Sequence, residues 1–402
     1  MNASTNTPEA RVAVVCAIDL SVKALLKAQI EAMQDAGYDV VAVCSDGPEV
    51  PQLRAEGLSV ETVTILRRVS PWADIKAVWR LAGLFRRRQI DIVHTHTPKA
   101  AFLGQVAAWL ARVPIRINTV HGFYYFAEPP GVKRWLFKTL EIRACRLATR
   151  VLSQSREDVD LAVRERLIPA EKLAWIGNGI DLDRFNPDRF APGEGPAVRK
   201  ELDIPEDAFV IGIVARMVRE KGVRELFQAF AEFRRQVPNA YLLHIGFVDR
   251  SRSDEVTPER AREMGIGEFC RFMGQRDDIP RLMTALNVYC LPSYREGYPR
   301  SVMEANAMGL PAIVTDIRGN REAVLEGVNG LIVPVRDAAA LAAGMIRLFE
   351  DDALREALST GARRRAEQEF DEQRICRAVL GVYRRELARV GRSARRPGVN
   401  SR

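Results

Sequence analysis

An arginine and a lysine five residues apart, in A-R-M-V-R-E-K-G (215–222), follow the apolar run FVIGIVA (209–215) and open a helical pattern. Two cations across a strand-to-helix turn, Arg216 and Lys221, can converge on one phosphate-rich ligand. The helix N-terminus adds N–H donors and a partial positive charge. A second group lies in E-G-Y-P-R-S-V-M-E-A-N-A-M-G-L-P (296–311), after the run VYCLPS (288–293). Gly297 permits close backbone approach, Pro299 suits a first helical turn, and Gly309 with Pro311 closes the helix. Glu296 in the loop and Glu304 on the helix are eight apart, and both can face one cleft. Carboxylates so placed could contact hydroxyls, the first those of a sugar and the second those of a ribose, or could be an ordinary loop charge and an exposed helix charge. The chain has four histidines, at 94, 96, 121 and 244. His94, His96 and His121 stand at strand ends, whereas His244 lies inside AYLLHIG and reads as core.

Those residues need elements to hold them. In the first half, RVAVVCAI (11–18), VVAVCS (40–45), VETVTI (60–65), DIVHTH (91–96), IRINTV (115–120) and RVLS (150–153) read as strands. Helical patterns at 22–36, 72–89, 99–111 and 132–147 fall between them. Strands separated by helices of this length indicate right-handed crossovers and a parallel sheet. The pattern weakens over G-N-G-I-D-L-D-R-F-N-P-D-R-F-A-P-G-E-G-P (177–196), which reads as a linker, and restarts at 209. Further strands are expected at 240–246, 269–274, 288–293, 311–316 and 330–335, and the stretch 337–390 reads as helical. Two doubly wound halves predict a deep cleft, with ligands at the carboxyl ends of the strands.

Composition bounds the possibilities. The 402 residues are 47% hydrophobic and 28% charged, an ordinary globular balance that excludes wholesale disorder. No apolar stretch reaches the roughly 18 residues of a membrane-spanning helix. The start, MNASTNTPEAR, lacks the layout of a secretory signal. Six scattered cysteines without Cys-x-x-Cys spacing argue against a disulfide framework or a zinc site.

The motif E-G-x-P-x-x-x-x-E-A-x-A-x-G-x-P is followed by Gly319, Glu322 and G-x-x-G-L-I-V (327–333). It closely resembles the donor-site signature of family 4 retaining glycosyltransferases. H-G at 121–122, N-G-I-D-L-D-R-F at 178–185, A-R-x-x-x-E-K-G at 215–222 and F-M-G-Q-R-D-D-I-P at 272–280 occur in the order such a chain would show. S-D-G-P-E-V, H-T-H-T-P-K-A and V-H-G-F-Y-Y-F are similar to segments of bacterial capsule, exopolysaccharide and O-antigen enzymes.

The resemblance implies an α/β fold of the GT-B kind, two Rossmann-like doubly wound domains facing across a cleft. It places an acceptor-binding domain at 10–180, a linker at 181–196 and a nucleotide-sugar-binding domain at 197–373. A helix at 374–390 would cross back to the N-terminal domain, leaving a basic tail at 391–402. Arg216, Lys221, His121 and Glu296 would carry the chemistry, with the two cations on the diphosphate and His121 hydrogen-bonding the donor sugar rather than abstracting a proton. Glu304 would hold the ribose, Gly297, Tyr298 and Pro299 would approach the sugar, and Gly274 and Arg276 would wall the base. Asp19, Ser21, His96 and Lys99 would lie on the acceptor side, and the turn A-I-D-L-S-V-K (17–23) departs from the family in having no glycine. No cofactor or metal is implied, because the cations neutralise the diphosphate, and no Asp-x-Asp directly follows a strand candidate.

Charge points to partners. Residues 66–150 hold 16 Lys+Arg against 4 Asp+Glu, and the last fourteen residues hold five arginines and no acid. Nucleic acid, a phospholipid surface and a phosphate-bearing substrate all fit such a half. A nucleotide-sugar epimerase on a related fold and a basic nucleic-acid-binding protein are the other readings. The second is disfavoured because no nucleic-acid-binding fold or aromatic motif is present. The expected partners are a nucleotide sugar, most simply UDP-linked, a glycan on a polyprenyl diphosphate, and an anionic membrane. Trp72, Ile75, Trp79 and Phe85 lie among Lys76, Arg80 and Arg86–Arg88, and Val132, Trp135, Leu136 and Leu140 lie among Lys133, Arg134, Lys138 and Arg143. Such helices suit a lipid interface, so a cytoplasmic protein peripheral to the inner membrane is expected.

Overall fold

Short apolar runs with almost no polar interruption form the strands of two parallel sheets. The computed structural model describes residues 8–66, 70–127, 130–249 and 255–394. The chain divides into two compact units, Met1–Gly177 with Arg374–Arg402, and Asn178–Gln373. In the first, β1 (Arg11–Val15), β2 (Asp39–Cys44), β3 (Ser59–Thr62), β4 (Ile92–His96), β5 (Ile115–Val120), β6 (Arg150–Ser153) and β7 (Leu173–Trp175) lie in the order β3-β2-β1-β4-β5-β6-β7. In the second, β8 (Phe209–Val214), β9 (Ala240–Ile245), β10 (Cys270–Phe272), β11 (Val288–Leu291), β12 (Ala312–Thr315) and β13 (Gly330–Val333) lie in the order β10-β9-β8-β11-β12-β13. Every pairing within these sheets is parallel. A parallel sheet is covered on both faces, so its strands are apolar throughout rather than alternating. Val12 to Val15 are accordingly at most 1% exposed.

Strand order reverses between β1 and β4 in one sheet and between β8 and β11 in the other. The crevice at such a switch point is where doubly wound sheets take ligands. The residues after β1, β4, β8 and β11 are therefore the ones that matter.

The final helix, Glu372–Ala394, serves the first unit. Val379, Val382 and Tyr383 are buried in one cluster with Val12, Met33 and Ile92. Tyr383 is fully buried, packs edge-on against Tyr38 and has its hydroxyl 2.8 Å from His94 Nδ1. Residues 395–402 of the basic tail lie outside the described residues.

Four expectations need correction. The stretch 181–196 is not a free linker but part of the second unit. Its Gly, Pro and Asp content hides two anchors at its start, since the adjoining Ile180 and Phe185 are buried in that unit's core. The helix expected at 22–36 opens with a π turn at Val22–Leu26 before regular helix at Lys27–Asp35. The edge strand β7 escaped the sequence reading because it has three residues, none of them buried. On the helix Pro71–Arg87, Phe85 is core, but Trp72, Ile75 and Trp79 are 86%, 51% and 60% exposed beside exposed Lys76 and Arg80. On Val132–Leu147 the exposed apolar residues are Val132 and Trp135. No helix among the described residues is long and apolar enough to cross a membrane.

If the last helix is structural, Tyr383→Ala should lower unfolding free energy by about 3–5 kcal/mol, the cost of emptying a buried aromatic site. Urea unfolding followed by circular dichroism measures this. An unchanged midpoint would mean that the helix is not part of the first unit's core.

Candidate functional site

In the second unit the switch-point crevice gathers both cations. Arg216 follows β8, and after a single 3₁₀ turn, Arg219–Lys221, the chain enters the helix Val223–Gln236. Gly222 makes that entry possible. Its φ is +70°, and a Cβ there would lie 2.0 Å from the Pro292 carbonyl oxygen. Lys221 Nζ donates to Glu296 Oε1 at 2.6 Å, and Ser293 Oγ donates to the same oxygen at 2.7 Å. Arg216 Nη1 donates to Asp249 Oδ2 at 2.5 Å, and Nη2 reaches Glu220 Oε1 at 3.5 Å. All these side chains are part-buried, so their attraction is less screened than at an open surface.

Gly319 lets the loop after β12 press on the loop after β11, for with φ +78° its Cβ would stand 2.3 Å from the Gly297 carbonyl oxygen. Tyr298 donates its hydroxyl proton to the Glu322 carbonyl at 3.0 Å, and the buried Pro299 caps the helix Arg300–Ala307. Glu304, one turn along, is half-buried. Among the described residues its carboxylate has no hydrogen bond or ion pair. Burial pushes its pKa up, and the charges of Arg300 and Arg184 only partly oppose this. Arg300 itself donates to Gly179 O at 2.9 Å and Arg184 to Asp277 O at 2.7 Å. Burial first, and then the charges of Glu304 and Glu296, push up the pKa of Tyr289, whose hydroxyl meets the backbone of Val214 at the end of β8.

Gly274 joins this edge through its carbonyl, which accepts from the Gly246 N–H at 2.8 Å. Arg276 turns instead to its own neighbour, with two bonds of 2.7 and 2.6 Å to Asp278 that hold that carboxyl below its usual range.

The first unit holds hydrogen-bonding groups rather than free charge. His121 Nδ1 is 3.0 Å from Gln154 Oε1, and its Nε2 is 3.0 Å from His96 Nδ1. His96, expected on the acceptor side, is only 2% exposed, because β4 is covered on both faces right to its end. His94 lies under it, with ring centroids 4.2 Å apart, and is fixed by Tyr383 and by Thr119 at 2.7 Å. Burial holds His96 well below the ordinary histidine range and His94 down to about 3, so both rings are neutral. Asp19, also expected on the acceptor side, is buried and accepts from the Glu49 N–H at 2.8 Å. Ser21 is half-buried in the turn Asp19–Ser21, and Lys99 pairs with Asp74 at 2.7 Å. His244 is buried, as its place inside a strand implies.

Sequence reasoning missed Asp249, Gln154 and Thr97. Asp249 and Gln154 sit in loops 33 residues from the partners they hold, with no motif to mark them. Thr97 caps the helix Pro98–Leu110 at φ +64°, a strained conformation for a β-branched residue, and its Oγ1 is buried without a partner. Among the described residues no three His, Cys, Asp or Glu cluster as a metal site would require.

Residues 24–179 match the family model described as glycosyl transferase 4-like domain, and residues 196–365 the model described as glycosyl transferases group 1. The chain is 29% identical over 329 residues to the UDP-Gal:alpha-D-GlcNAc-diphosphoundecaprenol alpha-1,3-galactosyltransferase of Escherichia coli, covering 81% of this chain and 84% of that one. It is 29% identical to the capsular polysaccharide biosynthesis glycosyltransferase CapM of Staphylococcus aureus, covering 89% and 93%. The fold matches that of Anabaena HepE in complex with UDP-glucose, with TM-score 0.79, 21% identity, and 93% and 99% of the two chains covered.

The raised pKa of Glu304 carries a sign. A carboxyl that is harder to ionise when folded adds stability below its unfolded pKa and loses it as pH rises through the folded value. Glu304→Gln should therefore be more stable than the native chain at pH 7, with the gap closing toward pH 4, while nucleotide affinity falls. Thermal melts across pH, paired with calorimetry of UDP binding, measure both. A variant less stable at pH 7 would show that the carboxylate holds the fold and is not kept for a ligand.

Proposed function

Because the chain belongs to the glycosyltransferases, with a 4-like domain followed by a group 1 domain, we propose that it moves a sugar from a UDP-linked donor to a glycan carried on a polyprenyl diphosphate. The product keeps the donor's anomeric configuration and enters a bacterial surface polysaccharide. The observation that carries this reading is the pair Arg216 and Lys221 in one crevice, each held by a carboxylate that a diphosphate can replace. The acceptor class is supported by the diphosphoundecaprenol substrate in the name of the Escherichia coli relative.

In this reading the diphosphate takes Arg216 from Asp249 and Lys221 from Glu296. The two cations then stabilise the charge that develops on the departing nucleotide, with no metal needed. Released from Lys221, the Glu296 carboxylate accepts from hydroxyls of the transferred sugar. Glu304, with no partner of its own, accepts from the ribose hydroxyls. Gly297, Tyr298 and Pro299 offer backbone to the sugar, and Gly274 and its neighbours wall the base. His121 donates a hydrogen bond to the sugar from the first unit, and Ser21 and Lys99 lie toward the acceptor.

Arg216→Ala and Lys221→Ala should each lose at least about two orders of magnitude in turnover. Glu304→Ala should mainly weaken UDP binding. A panel of UDP-, GDP- and ADP-sugars with EDTA present, product anomers read by NMR and UDP affinity by calorimetry, tests the whole reading. Normal UDP affinity in all three variants would move the donor out of this crevice, and an inverted product would end the claim of retention.

We also propose that the first unit docks on an anionic membrane. Exposed Trp72, Ile75, Trp79, Val132 and Trp135 stand among exposed Lys76, Arg80 and Lys133. Each cation near such a surface contributes about 1 kcal/mol. Liposome flotation should show binding that needs anionic lipid and weakens at high salt. Equal binding to neutral vesicles, or none to anionic ones, would point to a soluble acceptor.

A further inference from the structure

His121 and His96 form a pair whose proton positions can be worked out. An amide oxygen only accepts, so the His121 nitrogen facing Gln154 Oε1, at 3.0 Å, is Nδ1–H. A neutral imidazole has one N–H, which leaves His121 Nε2 as a lone pair. His96 Nδ1, 3.0 Å from it, must then be the donor. That assignment leaves His96 Nε2 as a bare lone pair, and this atom is buried with no partner. The reverse tautomer would leave a buried N–H there instead, and a buried donor without an acceptor is the rarer and costlier defect. The orphan atom and the two distances thus agree on one proton arrangement.

We propose that His96 is a positioning residue that keeps His121 neutral, with its proton on Nδ1 and its Nε2 lone pair closed to protonation. His94 supports it from below, fixed between Tyr383 and Thr119. His96 is thereby removed from the acceptor-contacting residues. The consequence for chemistry rests on the reading of His121 as a partner of the donor sugar. There the Nδ1–H turns from Gln154 Oε1 to a sugar hydroxyl oxygen, with His96 as the fixed side of the pair. A glycosyl transition state carries positive charge on the sugar, and an imidazolium beside it would oppose that charge. With its only lone pair taken, His121 also cannot act as a base. Among the described residues, titratable groups packed near it include His94 on β4, Asp158, which accepts from the Phe123 N–H, and Glu141 and Cys145 on the helix Val132–Leu147. Those two line one small cavity with His121, Glu141 accepting from the Tyr125 N–H and the Cys145 thiol pushed up to about 12 by burial.

Nitrogen-15 histidine NMR reads this directly, since the chain has only four histidines. The native protein should show His121 protonated at Nδ1 and not titrating between about pH 5.5 and 8, around the ordinary value near 6.5. His96→Leu removes the donor. His121 should then titrate near that value, and turnover should fall about tenfold one unit below it and recover above it. His96→Asn, whose amide nitrogen can replace Nδ1–H, should restore the flat profile. A native His121 protonated at Nε2, or titrating near 6.5, would overturn the proposal. So would a pH profile in His96→Leu unchanged from the native one. The NMR result needs no substrate, so it stands or falls separately from the transferase reading.

Discussion

Arg216 and Lys221 lie within five residues of each other just after the switch-point strand β8, and two cations placed so near must each be given counter-charge. The second unit meets that constraint with its own carboxylates, Asp249 and Glu220 for Arg216 and Glu296 for Lys221. Much of the local backbone follows from bringing these groups together. Gly222 lets the helix that carries Lys221's turn lie against Pro292, and Gly319 lets the loop that bears Gly297 be pressed from the β12 side. Glu296 is in consequence a counter-ion first. Any other group that donates to Glu296 must compete with Lys221 and Ser293 for it.

The first unit is built on the opposite principle. Its strand-end histidines are joined by hydrogen bonds, buried His94 to Tyr383 and Thr119, and half-buried His121 to buried His96 and to Gln154. Burial there suppresses charge, whereas in the second unit pairing preserves it. The division suits a reaction in which negative charge grows on the leaving diphosphate and positive charge on the sugar. It also gives the final helix a role beyond filling space, because Tyr383 is the group that fixes His94.

Most of the fold was legible because both sheets are parallel. Strands covered on both faces are continuous apolar runs, and the helices between them are long enough to show their period; Val132–Leu147 matches its expected span residue for residue. What failed was short, exposed or compositionally disguised, namely the three-residue β7, the π turn at Val22–Leu26 and the anchors Ile180 and Phe185 beside a loop rich in Gly, Pro and Asp. The site divides in the same way. Residue types at strand ends marked Arg216, Lys221, Glu296 and Glu304; of these the structure pairs Lys221 with Glu296, while Arg216 is held by Asp249 and Glu220. Partnership was not legible. No local pattern tells that Asp249 takes Arg216, or that Gln154 takes His121, because those contacts form only when separate loops meet. Nor does H-T-H reveal that both histidines are interior, since alternation carries no information in a strand buried on both sides.

The exposed aromatics also follow from sheet topology. In a right-handed strand–helix–strand unit the helix runs back against the strands, so its first turns lie at their carboxyl ends. Trp72 and Ile75 occupy the first turns of Pro71–Arg87, and Val132 and Trp135 those of Val132–Leu147. The helix between them in space, Pro98–Leu110, begins two residues after His96. Exposed Trp72, Ile75, Val132 and Trp135 therefore lie at the same end of the sheet as His121 and Ser21, whereas exposed Trp109 closes the helix between them at the other end. A globular domain gains nothing from leaving Trp72, Trp79 and Trp135 in water on two helices that flank a third, and the hydrophobic cost of doing so is a few kcal/mol. An acceptor whose diphosphate sits at a lipid surface would recover that cost at the place where the glycan must be presented. On the proposed reading, the same end of one sheet would serve both docking and transfer.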